Sequence, residues 1–163
     1  LPGKPLADIG GVPMIVRAWR HAAASGLPAA VAAGDPEIVE AVEAAGGRAV
    51  LTDPALPSGS DRVLAALEAL DPDGLHDAVI NLQGDMPLAS PDLSRACAAL
   101  LEAEPDCDIA TLVAPEAGPE DRTNPDVVKA VLALGEGRAS GHALDPVRRR
   151  PRLAPRGRLW LSA

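Results

Sequence analysis

The 163-residue chain has no phenylalanine and no tyrosine, and its only aromatic residues are Trp19 and Trp160. Without rings to stack on bases, and with a formal net charge of −8, it lacks the usual means of gripping nucleic acid. Its two cysteines, Cys97 and Cys107, are too few for a disulfide framework and read as reduced, structurally passive thiols of a cytosolic protein. The three histidines, His21, His76 and His142, are far apart and lack metal-ligand spacing. No run approaches the roughly 20 apolar residues of a membrane span, and no basic-then-apolar signal peptide opens the chain. A collagen, a disulfide scaffold and a membrane protein are excluded.

Apolar residues nevertheless make up 47% of the chain. The core is therefore expected to consist of Ala, Val, Leu and Ile, and the length suits one domain. Charge is unevenly placed. Residues 1–137 hold 8 basic and 22 acidic groups, whereas 138–163 hold seven arginines and a single acid, Asp145. Such a shift marks a boundary. We divide the chain into an α/β domain over 1–136 and an Arg/Pro-rich tail over 137–163. The tail shows no sustained period. It reads as a basic anion-binding tail, as disorder, or as the product of a shifted reading frame, since GC-rich DNA read out of frame encodes this composition.

Before the boundary, glycine and proline separate alternating patterns. GVPMIVRAWRHAAASG has helical spacing, with Gly26 placed to follow the helix end. LPAAVAAG is a short strand-like run, and Asp35-Pro36-Glu37 is a cap, first-turn proline and first-turn acid for the helix IVEAVEAAGG. RAVLT predicts a strand and SGSDRVLAALEAL a helix with Ser60 as cap. DAVINLQG predicts a buried strand and DLSRACAALLEAE a helix, while DIATLVA and DVVKAVLAL are further strand candidates. Strands alternating with helices predict a mostly parallel sheet with helices on both faces. Ligands of such folds bind beyond the carboxyl ends of the strands, so residues that follow strands carry the most information.

Three loop stretches carry candidate chemistry. In Leu1-Pro2-Gly3-Lys4-Pro5-Leu6, the lysine lies between glycine and proline; it reads as an exposed side chain or as one held for a phosphate. It is not a Walker A lysine, because Pro5 stands where Ser or Thr belongs. In Ser58-Gly59-Ser60-Asp61-Arg62, small residues at a helix start allow close approach of a ligand, or simply cap the helix. In Asn81-Leu82-Gln83-Gly84-Asp85, a carboxylate directly follows a buried strand. That is a common way to hold Mg²⁺ beside substrate phosphates, and equally a way to cap a turn.

Together, LPGKPLADIGGVPMIV, SGSDR, VINLQGDMP and NPDVVKAVL are similar in order and spacing to the 3-deoxy-manno-octulosonate cytidylyltransferases. The likeness runs from Leu1 to about Leu134. It implies a Rossmann-like nucleotidyltransferase fold that transfers CMP from CTP to 3-deoxy-D-manno-octulosonate (Kdo), releases pyrophosphate and serves lipopolysaccharide synthesis in the cytoplasm. It further implies that Gly3, Lys4, Ser58, Gly59, Ser60, Arg62, Gln83 and Gly84 bind CTP. Asp85 would bind Mg²⁺, with Lys4 and Asp85 as the catalytic pair. No nucleic acid and no membrane partner is implied.

The sequence also departs from that family. Its members carry an apolar strand and a P-A-R-x-x-S-x-R loop ahead of LPGKP. After the VVKAVL strand they continue with aromatic-rich, sugar-binding and dimer-building segments and a second metal-binding aspartate. None of these occurs in the 163 residues, and Met86 stands where many members carry an acid. The expectation is a family member incomplete at both ends. Two of its strands would lack a ladder neighbour, its homodimer segments would be absent and its turnover impaired. The alternatives are an acylneuraminate-type cytidylyltransferase and an inactive nucleotide-binding fragment.

Overall fold

A chain that fills its interior with small aliphatic side chains must bring its elements close together. The computed structural model describes residues 3–114, 118–122, 124, 126–127, 130–134, 136, 139–145 and 159–162. Helix α1 (Met14–Ala23) buries Met14, Ile15, Val16 and Ala18. Gly26, just past its end, has a φ of 81°, the left-handed conformation that glycine adopts without penalty. Strand β1 (Val31–Ala33) leads into helix α2 (Pro36–Ala44), which turns Ile38 and Val42 inward. Strand β2 (Ala49–Leu51) then pairs parallel with β1, Val31 opposite Ala49 and Ala33 opposite Leu51. This is a βαβ unit, in which the helix supplies the crossover that parallel strands require.

Helix α3 (Gly59–Leu70), strand β3 (Ala78–Asn81) and helix α4 (Pro91–Ala103) continue the alternation. Two predicted caps differ from expectation. Ser58, not Ser60, caps α3: Ser58 is extended and its Oγ accepts from the Asp61 N–H at 3.2 Å, while Ser60 already lies in the helical turn. A cap residue needs non-helical backbone, which only the earlier serine has. Asp35 occupies the cap position of α2 in extended conformation, but its side chain makes no capping bond.

Two compact units divide the chain. The first comprises Leu1–Leu112 with Gly157–Ala163. In it, β3 pairs parallel with β6 (Leu159–Ser162), Ala78 opposite Leu159 and Asn81 opposite Ser162. The second unit is Val113–Arg156, where β4 (Val131–Leu134) and β5 (Gly141–Asp145) form an antiparallel pair. The architecture is α/β with parallel strand pairs. Among the described residues the strands form three two-stranded ladders, so β1 pairs with β2 alone and β3 with β6 alone.

Residues 137–163, which show no period in the sequence, thus contribute β5 and β6. The arginine-rich stretch 146–158 lies outside the described residues. So do Pro125, Val128 and Lys129 of the N-P-x-x-V-K motif. The strand expected at DIATLVA is not formed: the run joins no ladder, although Ala110 and Leu112 pack against Cys97 and Leu101 of α4. No helix among the described residues is long and apolar enough to cross a membrane.

The main core joins Ile15 and Val16 of α1, Val31 and Ala33 of β1, and Ile38 and Val42 of α2, with Trp19 packed against it. Contrary to expectation, the buried apolar residues as a whole are not purely Ala, Val, Leu and Ile: Met14 is buried in α1, and Cys97 is fully buried in α4, where burial raises the thiol pKa and keeps it passive. Gly47 lies close against two residues of the main core cluster. A β-carbon there would fall 2.6 Å from Val42 Cγ1 and 2.8 Å from Trp19 Cε2. Gly47→Ala is therefore expected to cost about 1–3 kcal/mol of stability by overpacking and to shift the Trp19 emission. Thermal melting followed by tryptophan fluorescence checks this, and an unchanged melting temperature contradicts the packing.

Candidate functional site

The loops that follow β1, β2 and β3, and the turn near Lys4, bring most of the sequence-predicted residues to one region of the first unit. Gly3 has a φ of 73° and opens a single 3₁₀ turn, Lys4–Leu6. The Leu6 N–H donates to the Gly3 carbonyl at 3.0 Å, and Leu6 packs on the core beneath. Proline at 5 restricts the backbone further. Lys4 is thereby held by a short, anchored turn. The loop that follows is tied down by Arg17, whose Nε donates to the Ile9 carbonyl at 2.7 Å.

Lys4 Nζ donates to Asp85 Oδ2 at 2.8 Å, across 81 positions of sequence. Asp85 stands in the turn after β3, closed by the Met86 N–H donating to the Gln83 carbonyl at 3.2 Å. Gly84 is packed so closely that a β-carbon would lie 2.9 Å from Ile15 Cδ1. Gln83 Nε2 makes a long contact of 3.5 Å with Asn81 Oδ1, at the buried end of the strand. Both members of the Lys4–Asp85 pair are half exposed. The pair contributes at most about 1 kcal/mol of stability, but it fixes the electrostatics. The hydrogen bond and charge of Lys4 hold the Asp85 carboxyl below the ordinary carboxylate range, so it is ionised at neutral pH.

The SGSDR stretch divides in two. Ser58 is engaged as a cap: besides accepting from the Asp61 N–H, its hydroxyl donates to Asp61 Oδ2 at 2.5 Å. Ser60 is exposed on the first turn. Arg62, one turn into α3, reaches back to the strand ends, where its Nη1 donates to Thr52 Oγ1 at 2.7 Å. Arg62 and Gly84 line a cavity of about 280 Å³ at the carboxyl end of β1, together with Pro5, Gly34 and Asp35. A larger cavity of about 590 Å³ is lined by Gly59, Arg62, Gln83 and Gly84, and by apolar residues that include Trp19 and Ile80. Lys4 and Asp85 lie outside the lining of both cavities. Thr52 and Gly34 are the residues that sequence reasoning missed. Each directly follows a strand, and that placement was the available signal.

Among the described residues no group of three or more His, Cys, Asp or Glu stands together to hold a metal ion. The donor set at the β3 turn is one hard carboxylate, Asp85. That set fits a magnesium ion that keeps its waters and shares the carboxylate with substrate phosphates, and it does not fit a cage made of protein alone.

A family model described as cytidylyltransferase matches residues 1–152. The chain is 56% identical over 145 residues to the 3-deoxy-manno-octulosonate cytidylyltransferase of Rhodospirillum rubrum, covering 88% of this chain and 58% of that protein. It is 55% identical over 139 residues to the enzyme of the same name from Parvibaculum lavamentivorans, covering 85% and 54%. To that of Methylorubrum extorquens it is 48% identical over 151 residues, covering 92% and 57%. Among solved structures, a CMP:2-keto-3-deoxy-manno-octonic acid synthetase complexed with CTP matches with a TM-score of 0.61 at 32% identity, over 70% of this chain and 48% of that one. The chain spans somewhat more than half the length of these relatives.

The ion pair gives a pH-dependent prediction. Asp85 has a depressed pKa in the folded chain, so the stabilisation from Lys4 is present above the ordinary carboxylate value and is lost as pH falls through the depressed one. Lys4→Met removes the cause, and the Asp85 titration should then move up toward the ordinary range. A carbon-13 NMR titration of the carboxyl groups measures this directly; an Asp85 pKa unmoved by the substitution contradicts the pairing.

Proposed function

The chain belongs to the cytidylyltransferase family, and from that premise we propose that it transfers CMP from CTP to Kdo, releasing pyrophosphate. The observation that carries this reading is the meeting of the anchored Lys4 turn with the Q-G-D turn after β3, at 2.8 Å. One cation and one anion, 81 residues apart in sequence, meet here, and their chemistry suits a triphosphate and its counter-ion. The names of the relatives support the choice of sugar acid, and the CTP complex of the structural neighbour supports the choice of nucleotide. The product would serve lipopolysaccharide synthesis in the cytoplasm.

The chemistry is a substitution at phosphorus. The anomeric hydroxyl oxygen of Kdo forms a bond to the α-phosphorus of CTP, and the bond from that phosphorus to the bridging oxygen breaks. Pyrophosphate leaves with the electron pair, and the hydroxyl proton passes to solvent. Little covalent work falls to the protein, whose contribution is to position groups and neutralise charge. The Lys4 ammonium, held on a short turn, exchanges its Asp85 partner for phosphate oxygens. Gly84 and Gly3 present backbone without side chains at the approach to the phosphates. Gln83 and Arg62, in the lining of the larger cavity, hold the nucleoside. Asp85 would hold magnesium, which when bound shields the phosphate charges that otherwise repel the attacking oxygen.

An assay of pyrophosphate release from CTP and Mg²⁺, with Kdo in one arm and an acylneuraminate in the other, tests the proposal. Release with Kdo alone is expected. Asp85→Asn should lower that rate by about a hundredfold or more. Release with acylneuraminate alone reassigns the substrate, CTP binding without release reduces the protein to a nucleotide-binding module, and an undiminished Asp85→Asn rate removes the carboxylate from the mechanism.

A further inference from the structure

Thr52 follows β2 and is buried, 8% exposed. Its backbone N–H and its hydroxyl both donate to the Ala33 carbonyl, each at 2.8 Å. The single hydroxyl proton is therefore committed to Ala33, and the oxygen can only accept from Arg62. This fixes the sense of the contact: Arg62 Nη1 is drawn to Thr52 Oγ1 at 2.7 Å in an arrangement that no rotation of the hydroxyl can reverse. Arg62 makes no other side-chain hydrogen bond among the described residues, so four of the five N–H groups of its guanidinium have no partner among them.

Gly34, just after β1, provides the opposing surface. A β-carbon at this position would lie 2.7 Å from Arg62 Nη1, 3.1 Å from Cζ and 3.2 Å from Nη2. The guanidinium occupies the space a side chain at 34 would take, so a larger residue there would displace it; the backbone at 34 is outside the left-handed region and sets no such demand. The planar group is thus held against bare backbone on one side and anchored at one nitrogen by a buried, oriented hydroxyl. Holding one nitrogen in this way leaves the remaining donors of the fork pre-organised for an anionic or carbonyl-bearing ligand.

We propose that Thr52 and Gly34 are positioning residues for nucleotide binding: they touch no ligand themselves and fix the Arg62 guanidinium in the orientation that meets CTP. This rests on the reading of the site as a CTP site. A role confined to stability would weaken the fold without coupling to Arg62, and the two roles can be told apart.

The experiment is calorimetric titration of the full 163-residue chain with CTP and Mg²⁺, using Thr52→Val, Thr52→Ser, Gly34→Ala, Arg62→Ala and the two double variants with Arg62→Ala. Thr52→Val keeps the shape and removes the hydroxyl; it should weaken CTP about tenfold, the size expected for one charge-assisted hydrogen bond. Thr52→Ser should restore native affinity. Gly34→Ala should weaken CTP by a similar factor with Thr52 intact, which keeps the test open if Thr52→Val melts. In the Arg62→Ala background neither change should weaken CTP further. Equal losses with and without Arg62, or a Thr52→Ser variant as weak as Thr52→Val, overturn the positioning role. So does native affinity in Arg62→Ala, although the CTP assignment then survives. Failure of the native chain to bind CTP at all removes both.

Discussion

The Arg62 guanidinium lies against Gly34 at a distance that leaves no room for a β-carbon, and this contact ties α3 to the carboxyl ends of β1 and β2. Similar close approaches occur at Gly47, against Val42 and Trp19, and at Gly84, against Ile15. Each places backbone against side chain where other proteins would place two side chains. The pattern follows from composition. With one tryptophan in the first 150 residues and no other aromatic ring there, the interior is filled by bringing elements together. Two of the three glycines, Gly34 and Gly84, follow β1 and β3 and lie at the strand ends that form the candidate site.

Charge is then laid over this frame. Lys4 and Asp85 reach each other from turns that are each anchored to the core, the first through Leu6 and the second through the contact of Gly84 with Ile15. The resulting ion pair is exposed and energetically small, so its value is positional. It holds a cation and an anion 2.8 Å apart, between the Lys4 turn and the turn that follows β3. Arg62 is the more rigid of the two cationic groups, because it is half buried and bonded to an oriented hydroxyl. The proposed reaction divides along the same line: an exposed lysine for the triphosphate, and a half-buried arginine for the nucleoside.

Much of this was legible in the sequence, and the reasons can be stated. Pro36 opens α2 and Gly26 stands just past the end of α1, positions where local backbone chemistry alone decides the outcome. The Q-G-D turn was visible because it directly follows a run of apolar residues. What could not be read were choices that depend on tertiary neighbours. Ser58 and Ser60 are both competent caps, and only the backbone conformation selects the first. DIATLVA has strand composition, but Ala110 and Leu112 face helix α4 and no ladder forms. Thr52 is one of two threonines in the first 115 residues, and nothing local to it reveals that an arginine ten positions away will use its oxygen.

The claim on which the account depends is that nucleotide enters at the ends of β1 and β3, between the Lys4 turn and the Q-G-D turn. Amide chemical-shift mapping by NMR during addition of CTP with Mg²⁺ tests it in one measurement. The account predicts the largest shifts at Lys4, Gly34, Gly84 and Asp85, with residues on the far side of α2 unmoved. Shifts that leave these four amides in place and cluster elsewhere on the chain would contradict it.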